Sequence, residues 1–86
     1  MSTFADVNFL DLSHAGITDA ASRHLAKLES LEVLSLKGNP VGDSAAVHLA
    51  NNLHRLKSLD LEKTDVTDAC VQQIRQSHPQ IVVLAN

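Results

Sequence analysis

The sequence predicts an α/β solenoid, a right-handed coil with a short parallel sheet on its concave side and helices on its convex side. The first supporting observation is an apolar pattern that recurs from Val7 to Leu31 (24 positions), from there to Leu56 (25) and on to Ile81 (25). The second is a change of apolar spacing within each copy, which indicates a strand followed by a helix. In arrays with such a period, each unit buries its apolar face against its neighbours.

The pattern predicts a single domain over residues 1–86. Its repeats are placed at about 7–30, 31–55 and 56–80, with a partial fourth repeat at 81–86. A globular chain of this length buries only about 60% of its unfolded surface, so stacked repeats are an effective way to build its core.

Each repeat begins with a strand of about four or five residues, because apolar and polar residues alternate around Leu34 and Leu36. The equivalent pairs are Leu10 with Leu12 and Leu59 with Leu61. Helical crossovers join parallel strands that lie side by side, and they are right-handed. Strands lie about 4.8 Å apart but packed helices need roughly 8–10 Å, which bends the array and puts the sheet on the concave side. The same period places Leu84 in the core, and Val82, Val83 and Ala85 on the outer face.

A helix follows each of the first three strands. Ala21, Leu25 and Leu28 fall at helical spacing, and the next two repeats have the same pattern. An aspartate precedes each helical segment: Asp19, Asp43 and Asp68. We interpret these aspartates as N-caps, whose carboxylates accept from free amides and face the positive end of the helix dipole. Pro79 should end the third helix by Ser77 or His78.

Composition excludes several classes of protein. Seven basic residues are spread among ten acidic ones, and the net charge is −3, so no nucleic-acid-binding patch is indicated. The only cysteine, Cys70, excludes an internal disulfide framework and favours a reducing compartment. The N-terminal residues contain no basic segment followed by a long apolar run, so neither a signal peptide nor a membrane span is predicted. We expect a soluble, cytoplasmic protein.

The segment LEVLSLKGNPVGD resembles the leucine-rich repeat pattern LxxLxLxxNxL, with Leu31, Leu34, Leu36, Asn39 and Val41 in its five positions. Together with the helix that follows, it is similar to the intracellular, helix-containing subclass of ribonuclease-inhibitor-like and F-box-associated repeats. The segments VNFLDLSHAGITD and LKSLDLEKTDVTD fit the pattern less fully.

The first and third repeats depart from this pattern in the turn. In the family the asparagine bonds to backbone groups of the turn and links neighbouring repeats, but the corresponding residues here are Ala15 and Thr64. Only Asn39 can make these bonds fully, and Thr64 can replace it in part. We therefore expect a looser turn in the first repeat, where water or backbone must satisfy the free polar groups.

The resemblance implies a protein-protein interaction or scaffolding module that binds a protein partner through the concave sheet. The predicted contact surface is an apolar patch of Phe9 and Val33 with its charged surroundings. It comprises Phe9, Asp11, Val33, Ser35, Lys37, Lys57, Asp60, Glu62 and Lys63. One alternative is that these are ordinary solvated strand residues. Another is an adaptor or regulatory segment of a larger enzyme complex, such as a ubiquitin-ligase substrate receptor.

Both ends of the predicted array are expected to be uncapped. The run Ile81–Leu84 is entirely apolar and would form an exposed edge strand, which can pair with another chain. We favour a fragment of a longer array, and the alternative is self-association through these ends.

Catalysis has little support in the sequence. His24 and His48 occupy equivalent helix positions, and helices about 8–10 Å apart can bring two imidazoles to one ion. The third repeat has Gln73 there, no third ligand is supplied, and we interpret these histidines as solvated. Cys70 shares its phase with Ala45, which indicates a buried thiol rather than a nucleophile. We predict no enzyme activity and neither metal nor cofactor; a small hydrolase or metal enzyme is the disfavoured alternative.

Overall fold

The computed structural model describes residues 8–85. Val7, the predicted start of the first repeat, lies outside this range. Four strands alternate with three helices: β1 (Phe9–Asp11), α1 (Asp19–Leu25), β2 (Val33–Ser35), α2 (Asp43–Asn52), β3 (Ser58–Asp60), α3 (Asp68–Ser77) and β4 (Val82–Leu84). The strands have three residues each, shorter than predicted. The third helix ends at Ser77, as predicted from Pro79.

The strands form one parallel sheet in the order β1-β2-β3-β4, which confirms the predicted α/β architecture. Each strand lies beside the next because a helix carries the chain back to the same end of the sheet. The right-handed course and the concave position of the sheet stay predictions from connection rules and packing distances.

The core lies between the sheet and the helices and is most complete in the second and third repeats. Leu34 and Leu59 of the sheet are fully buried, as is Leu49 of α2. In the first repeat the equivalent strand residue, Leu10, is only half-buried. Cys70 is buried, as its repeat position predicted.

The fourth strand is shifted by one residue from its predicted register. The period of 25 pairs Leu84 with Leu59 and directs Val83 outward. In the structure Val83 pairs with Leu59 and is buried, whereas Leu84 pairs with Asp60 and is 44% exposed. The placement of Leu84 in the core and of Val83 on the outer face was therefore wrong.

The shift has a local cause, which is the loss of one residue before the strand. The N–H of Ile81 donates to His78 O at 3.0 Å, as the N–H of Leu56 donates to Leu53 O at 3.1 Å, so the turn before each strand is the same. After Leu56, Lys57 intervenes before β3 begins, but β4 begins directly after Ile81. Since side chains alternate between the two faces, one missing residue exchanges the faces of the whole strand.

The helices begin one residue earlier than predicted. Thr18, Gly42 and Thr67 are the N-caps, and the three aspartates are the first helical residues. The Thr67 hydroxyl accepts from Cys70 N at 3.2 Å, and the Thr18 hydroxyl accepts from Ala21 N at 3.4 Å. The assignment of Asp19, Asp43 and Asp68 as caps was wrong because a threonine one position earlier already makes that bond in α1 and α3.

Two of the aspartates join neighbouring repeats instead. Asp19 Oδ1 accepts from Gly42 N at 2.8 Å. Asp43 Oδ1 and Oδ2 accept from the N–H and the hydroxyl of Thr67 at 2.7 and 2.8 Å. Each of these carboxylates therefore holds the start of the next helix.

Asn39 also joins two repeats, through the first turn. Its Oδ1 accepts from Ala15 N at 3.0 Å and Ile17 N at 2.9 Å, and its Nδ2 donates to Leu12 O at 2.8 Å. Asn39 thus makes the side-chain hydrogen bonds to the first turn that Ala15 cannot make. The prediction that water or backbone must satisfy these groups was therefore wrong. Thr64 donates to Leu61 O at 2.7 Å within its own turn, in keeping with a partial replacement.

Candidate partner-binding face of the sheet

One face of the sheet packs against the helices, and the opposite face, here called the open face, carries two rows of side chains. The first row consists of Phe9, Val33, Ser58 and Val82. The second row consists of Asp11, Ser35, Asp60 and Leu84. These residues alternate with the core residues of each strand, which is why they share a face.

Large exposed apolar side chains are concentrated on the open face. Within residues 8–85 they are Phe9 at 62%, Val82 at 61% and Leu84 at 44% exposure. Val33 is half-buried beside Phe9. The open face therefore has one apolar patch on β1 and β2 and a second on β4.

The predicted set contained Phe9 and Val33 but lacked Val82 and Leu84. The run Ile81–Leu84 contains only apolar residues, so alternation of hydrophobicity does not indicate which of them face outward. The spacing of the second and third repeats, in which two residues separate the first two apolar positions, pointed to Leu84 as the buried residue, so it gave no signal for the observed register.

Two salt bridges border the rows. Lys57 Nζ lies 3.4 Å from Glu32 Oε1, and Lys37 Nζ lies 3.9 Å from Glu62 Oε1. Both pairs join adjacent repeats and are partly exposed, where such pairs contribute about 0–1 kcal/mol. Three of the predicted contact residues, Lys37, Lys57 and Glu62, therefore have their charges partly compensated within the chain.

The second row carries acidic groups. The Asp11 carboxylate accepts from the Ser13 hydroxyl at 2.6 Å and from Ser13 N at 3.0 Å, and these bonds lower the pKa of Asp11. Asp60 Oδ1 accepts from Glu62 N at 3.0 Å. Among residues 8–85 neither aspartate forms a salt bridge. Between them lies Ser35, whose hydroxyl is 2.9 Å from that of Ser13.

Lys63 lies beyond the rows, in the turn after β3. Lys63, Gly38 and His14 occupy equivalent turn positions, and all have positive φ, 56°, 74° and 55° respectively. A Cβ added to Gly38 would collide with the His14 ring, so glycine at this position lets the ring of the preceding repeat lie against the turn. Lys63 is exposed at the border of the open face.

The outer edge of β4 has one protected acceptor. Val82 N donates to Lys57 O, and Leu84 O accepts from Leu61 N, so the polar groups of Val83 point away from β3. Arg75 Nη2, from α3, donates to Val83 O at 2.8 Å. The sequence predicted an edge with no such protection, and Arg75 blocks one of the groups that another strand would use.

The helical side carries His24, His48 and Cys70, the residues considered in the sequence as candidates for chemistry. Within residues 8–85, no three His, Cys, Asp or Glu side chains come together as a metal site. His48 contacts Asn52, with 3.5 Å between His48 Nδ1 and Asn52 Nδ2. Burial and, secondarily, the charge of Asp43 raise the pKa of the Cys70 thiol, which keeps it protonated and unreactive.

Comparison with known proteins locates the family resemblance in the second repeat. A family model described as Leucine Rich repeat matches residues 27–50, which include β2 and most of α2. No curated protein matches the chain. In the described part, none of the helices has the length and apolar character needed to cross a bilayer. The match supports a leucine-rich repeat family for this chain, in the repeat where Leu31, Leu34 and Leu36 are fully buried.

Proposed function

We propose that this chain is a protein-interaction module that binds a protein partner through the open face of its sheet. The leucine-rich repeat match suggests such a module. The observation that carries the proposal is that the three large exposed apolar side chains of residues 8–85 all lie on this face: Phe9, Val82 and Leu84. Exposed apolar groups bordered by polar ones are typical of protein interaction sites.

The size of the open face supports a role within a larger interaction surface. Four strands of three residues, about 4.8 Å apart with a rise of about 3.3 Å per residue, cover about 190 Å². Even doubled for the relief of the side chains, this is well below the roughly 800 Å² that each partner buries in a standard interface. We therefore propose a non-enzymatic scaffolding role, in which this face acts with neighbouring repeats or other subunits.

The test is a titration with a partner captured from cell extract by the immobilised chain and then purified. Phe9→Ala should weaken binding about tenfold, since a fully buried aromatic side chain contributes about 1.5–3 kcal/mol. Its melting temperature should not change, because Phe9 is largely exposed in the free chain. The control Gln76→Ala removes an exposed side chain from α3 and should leave the affinity unchanged.

A second pair of variants tests the charged border of the open face. Lys37→Glu replaces the salt bridge with Glu62 by two like charges at the border of the open face and should change the affinity. Lys27→Glu makes the same change of charge in an exposed turn after α1 and should leave the affinity unchanged. Equal affinities for the parent chain, Phe9→Ala and Lys37→Glu would mean that the partner binds elsewhere. Loss of folding in Phe9→Ala would mean that the ring supports the core.

A further inference from the structure

We infer that the open face binds an amphipathic helix whose apolar stripe is bordered on one side by basic residues. This inference rests on the proposed function and specifies the chemistry of the partner. It is carried by the positions of the apolar and acidic residues in the two rows and by two aspartates of the second row that form no salt bridge within residues 8–85.

The apolar residues of the first row match the spacing of an apolar helix stripe. Phe9, Val33 and Val82 lie on β1, β2 and β4, so Val33 and Val82 are about 4.8 and 14.4 Å from Phe9 across the sheet. With a rise of 1.5 Å per residue, helix positions i+3 and i+10 lie about 4.5 and 15 Å from position i. These are a and d positions of a heptad repeat. A helix that crosses the strands can therefore place an apolar side chain over each of the three apolar residues of this row.

The acids of the second row match the flank of the same helix. Asp11 and Asp60 lie two strands apart, about 9.6 Å, close to the roughly 10.5 Å between helix positions i and i+7. The second row is displaced from the first by about 6.6 Å along the strands, which is within the 10–12 Å diameter of a helix with its side chains. Two side chains seven residues apart on one flank thus come to lie beside the two carboxylates.

Charge complementarity requires that these two side chains be basic. Lys37 and Lys57 already have glutamate partners in neighbouring repeats. Within residues 8–85, Asp11 accepts hydrogen bonds from neutral groups of Ser13 and is weakly attracted by the nearby His14, but neither aspartate forms a salt bridge. An acidic or neutral helix would desolvate these carboxylates without compensation. An arginine at each position supplies a charge-assisted partner.

The small area of the open face favours one helix over a second copy of the chain. The area of about 190 Å² given by the strand spacing, or about 400 Å² with side-chain relief, suffices for the contact face of a short helix. A stable dimer needs about 800 Å² from each chain. An extended peptide that adds a strand would have to bind at a sheet edge, where the rows play no part.

The inference is tested by titrating the chain with two synthetic helical peptides, followed by NMR. Both peptides carry leucine at the a and d positions of two heptads. They differ only at the g position that precedes each a position, which holds arginine in one peptide and glutamate in the other. Circular dichroism must first establish equal helicity. We expect the arginine peptide to bind at least about fivefold more tightly and to shift the amide signals of Val33, Ser35 and Asp60.

Charge reversal on the face tests the role of the second row. Asp60→Lys should abolish or reverse the preference between the peptides, whereas the control Glu29→Lys makes the same change of net charge in an exposed turn after α1 and should preserve it. Equal binding of both peptides, lost in Phe9→Ala, would overturn the basic partner but leave binding at the open face intact. Binding of neither peptide, or a preference unchanged by Asp60→Lys, would also overturn this inference.

Discussion

The carboxylate of Asp43 accepts two hydrogen bonds from Thr67, one repeat further along the chain, from the N–H at 2.7 Å and from the hydroxyl at 2.8 Å. Asp43 begins α2 and Thr67 is the N-cap of α3. The contact therefore aligns the starts of two neighbouring helices, and its loss should affect the stacking of repeats more than either helix alone.

Replacing Asp43 should reduce stability more than replacing the equivalent residue of α3. Asp43→Ala should lower the free energy of unfolding by about 1–2 kcal/mol, the range for hydrogen bonds to a charged group that is partly exposed. Asp68→Ala removes a carboxylate from the same position of α3, where residues 8–85 supply no partner from a further repeat, and should cost about 0.5 kcal/mol. Urea denaturation measures both. Equal losses would mean that the helix dipole, not the contact with Thr67, explains the effect.

The same contact predicts a loss of stability in acid. The bonds from the N–H and then the hydroxyl of Thr67 hold the pKa of Asp43 below its usual value. Because the pKa is lower in the folded state, the stabilisation is complete above the unfolded value of about 3.9 and is lost as the pH falls through the folded value. Below about pH 4, the melting temperature of the parent chain should fall more steeply than that of Asp43→Ala. If the melting temperatures of the parent chain and of Asp43→Ala fell equally with pH, the contact between Asp43 and Thr67 would not explain the loss of stability in acid.

The register of β4 is tested by two neighbouring substitutions. Val83→Asp places a charge in the core and should cost more than about 4 kcal/mol, enough to unfold a small domain. Leu84→Asp places the same charge on the open face and should cost less than about 1 kcal/mol. Far-ultraviolet circular dichroism during thermal unfolding distinguishes them. If Leu84→Asp were unfolded and Val83→Asp stable, the register predicted by a strict period of 25, in which Leu84 is buried, would be correct instead.

Arg75 should limit self-association at the outer edge of β4. Arg75→Ala removes the donor to Val83 O and leaves that carbonyl accessible to a strand from another chain. Sedimentation velocity should then show a sedimentation coefficient that rises with concentration more steeply than that of the parent chain. Arg23→Ala, which removes an exposed arginine from α1, is the matched control. Identical behaviour of all three proteins would mean that Arg75 does not protect this edge.

The repeat period was sufficient to predict most of the fold. Leu34 and Leu59 recur in phase in strands with one buried face, and the helical spacing that follows each of them requires a crossover, so the parallel order of strands follows. The phase of Cys70 likewise predicted its burial. These features depend on local periodicity alone, which a single sequence displays.

The errors arose where periodicity does not distinguish between residues. Thr67 and Asp68 are adjacent and both are good N-cap residues, so composition did not indicate which one begins the helix. The apolar run at β4 hid the missing residue and therefore the second apolar patch of the open face. The pairing of Lys57 with Glu32 depends on the spacing of strands and on side-chain rotamers, which the sequence pattern does not specify.

The shortened entry into β4 separates two properties of a strand that are usually treated together: how apolar its residues are, and which of them face the core. Every residue of Ile81–Leu84 is compatible with a core, and composition alone would assign the segment to the interior. Removal of one position before the strand instead turns Leu84 toward the surface without any substitution. Among repeats of this kind, the number of residues between the turn and the strand is thus enough to decide which side chains face outward, even where every residue of the strand is apolar.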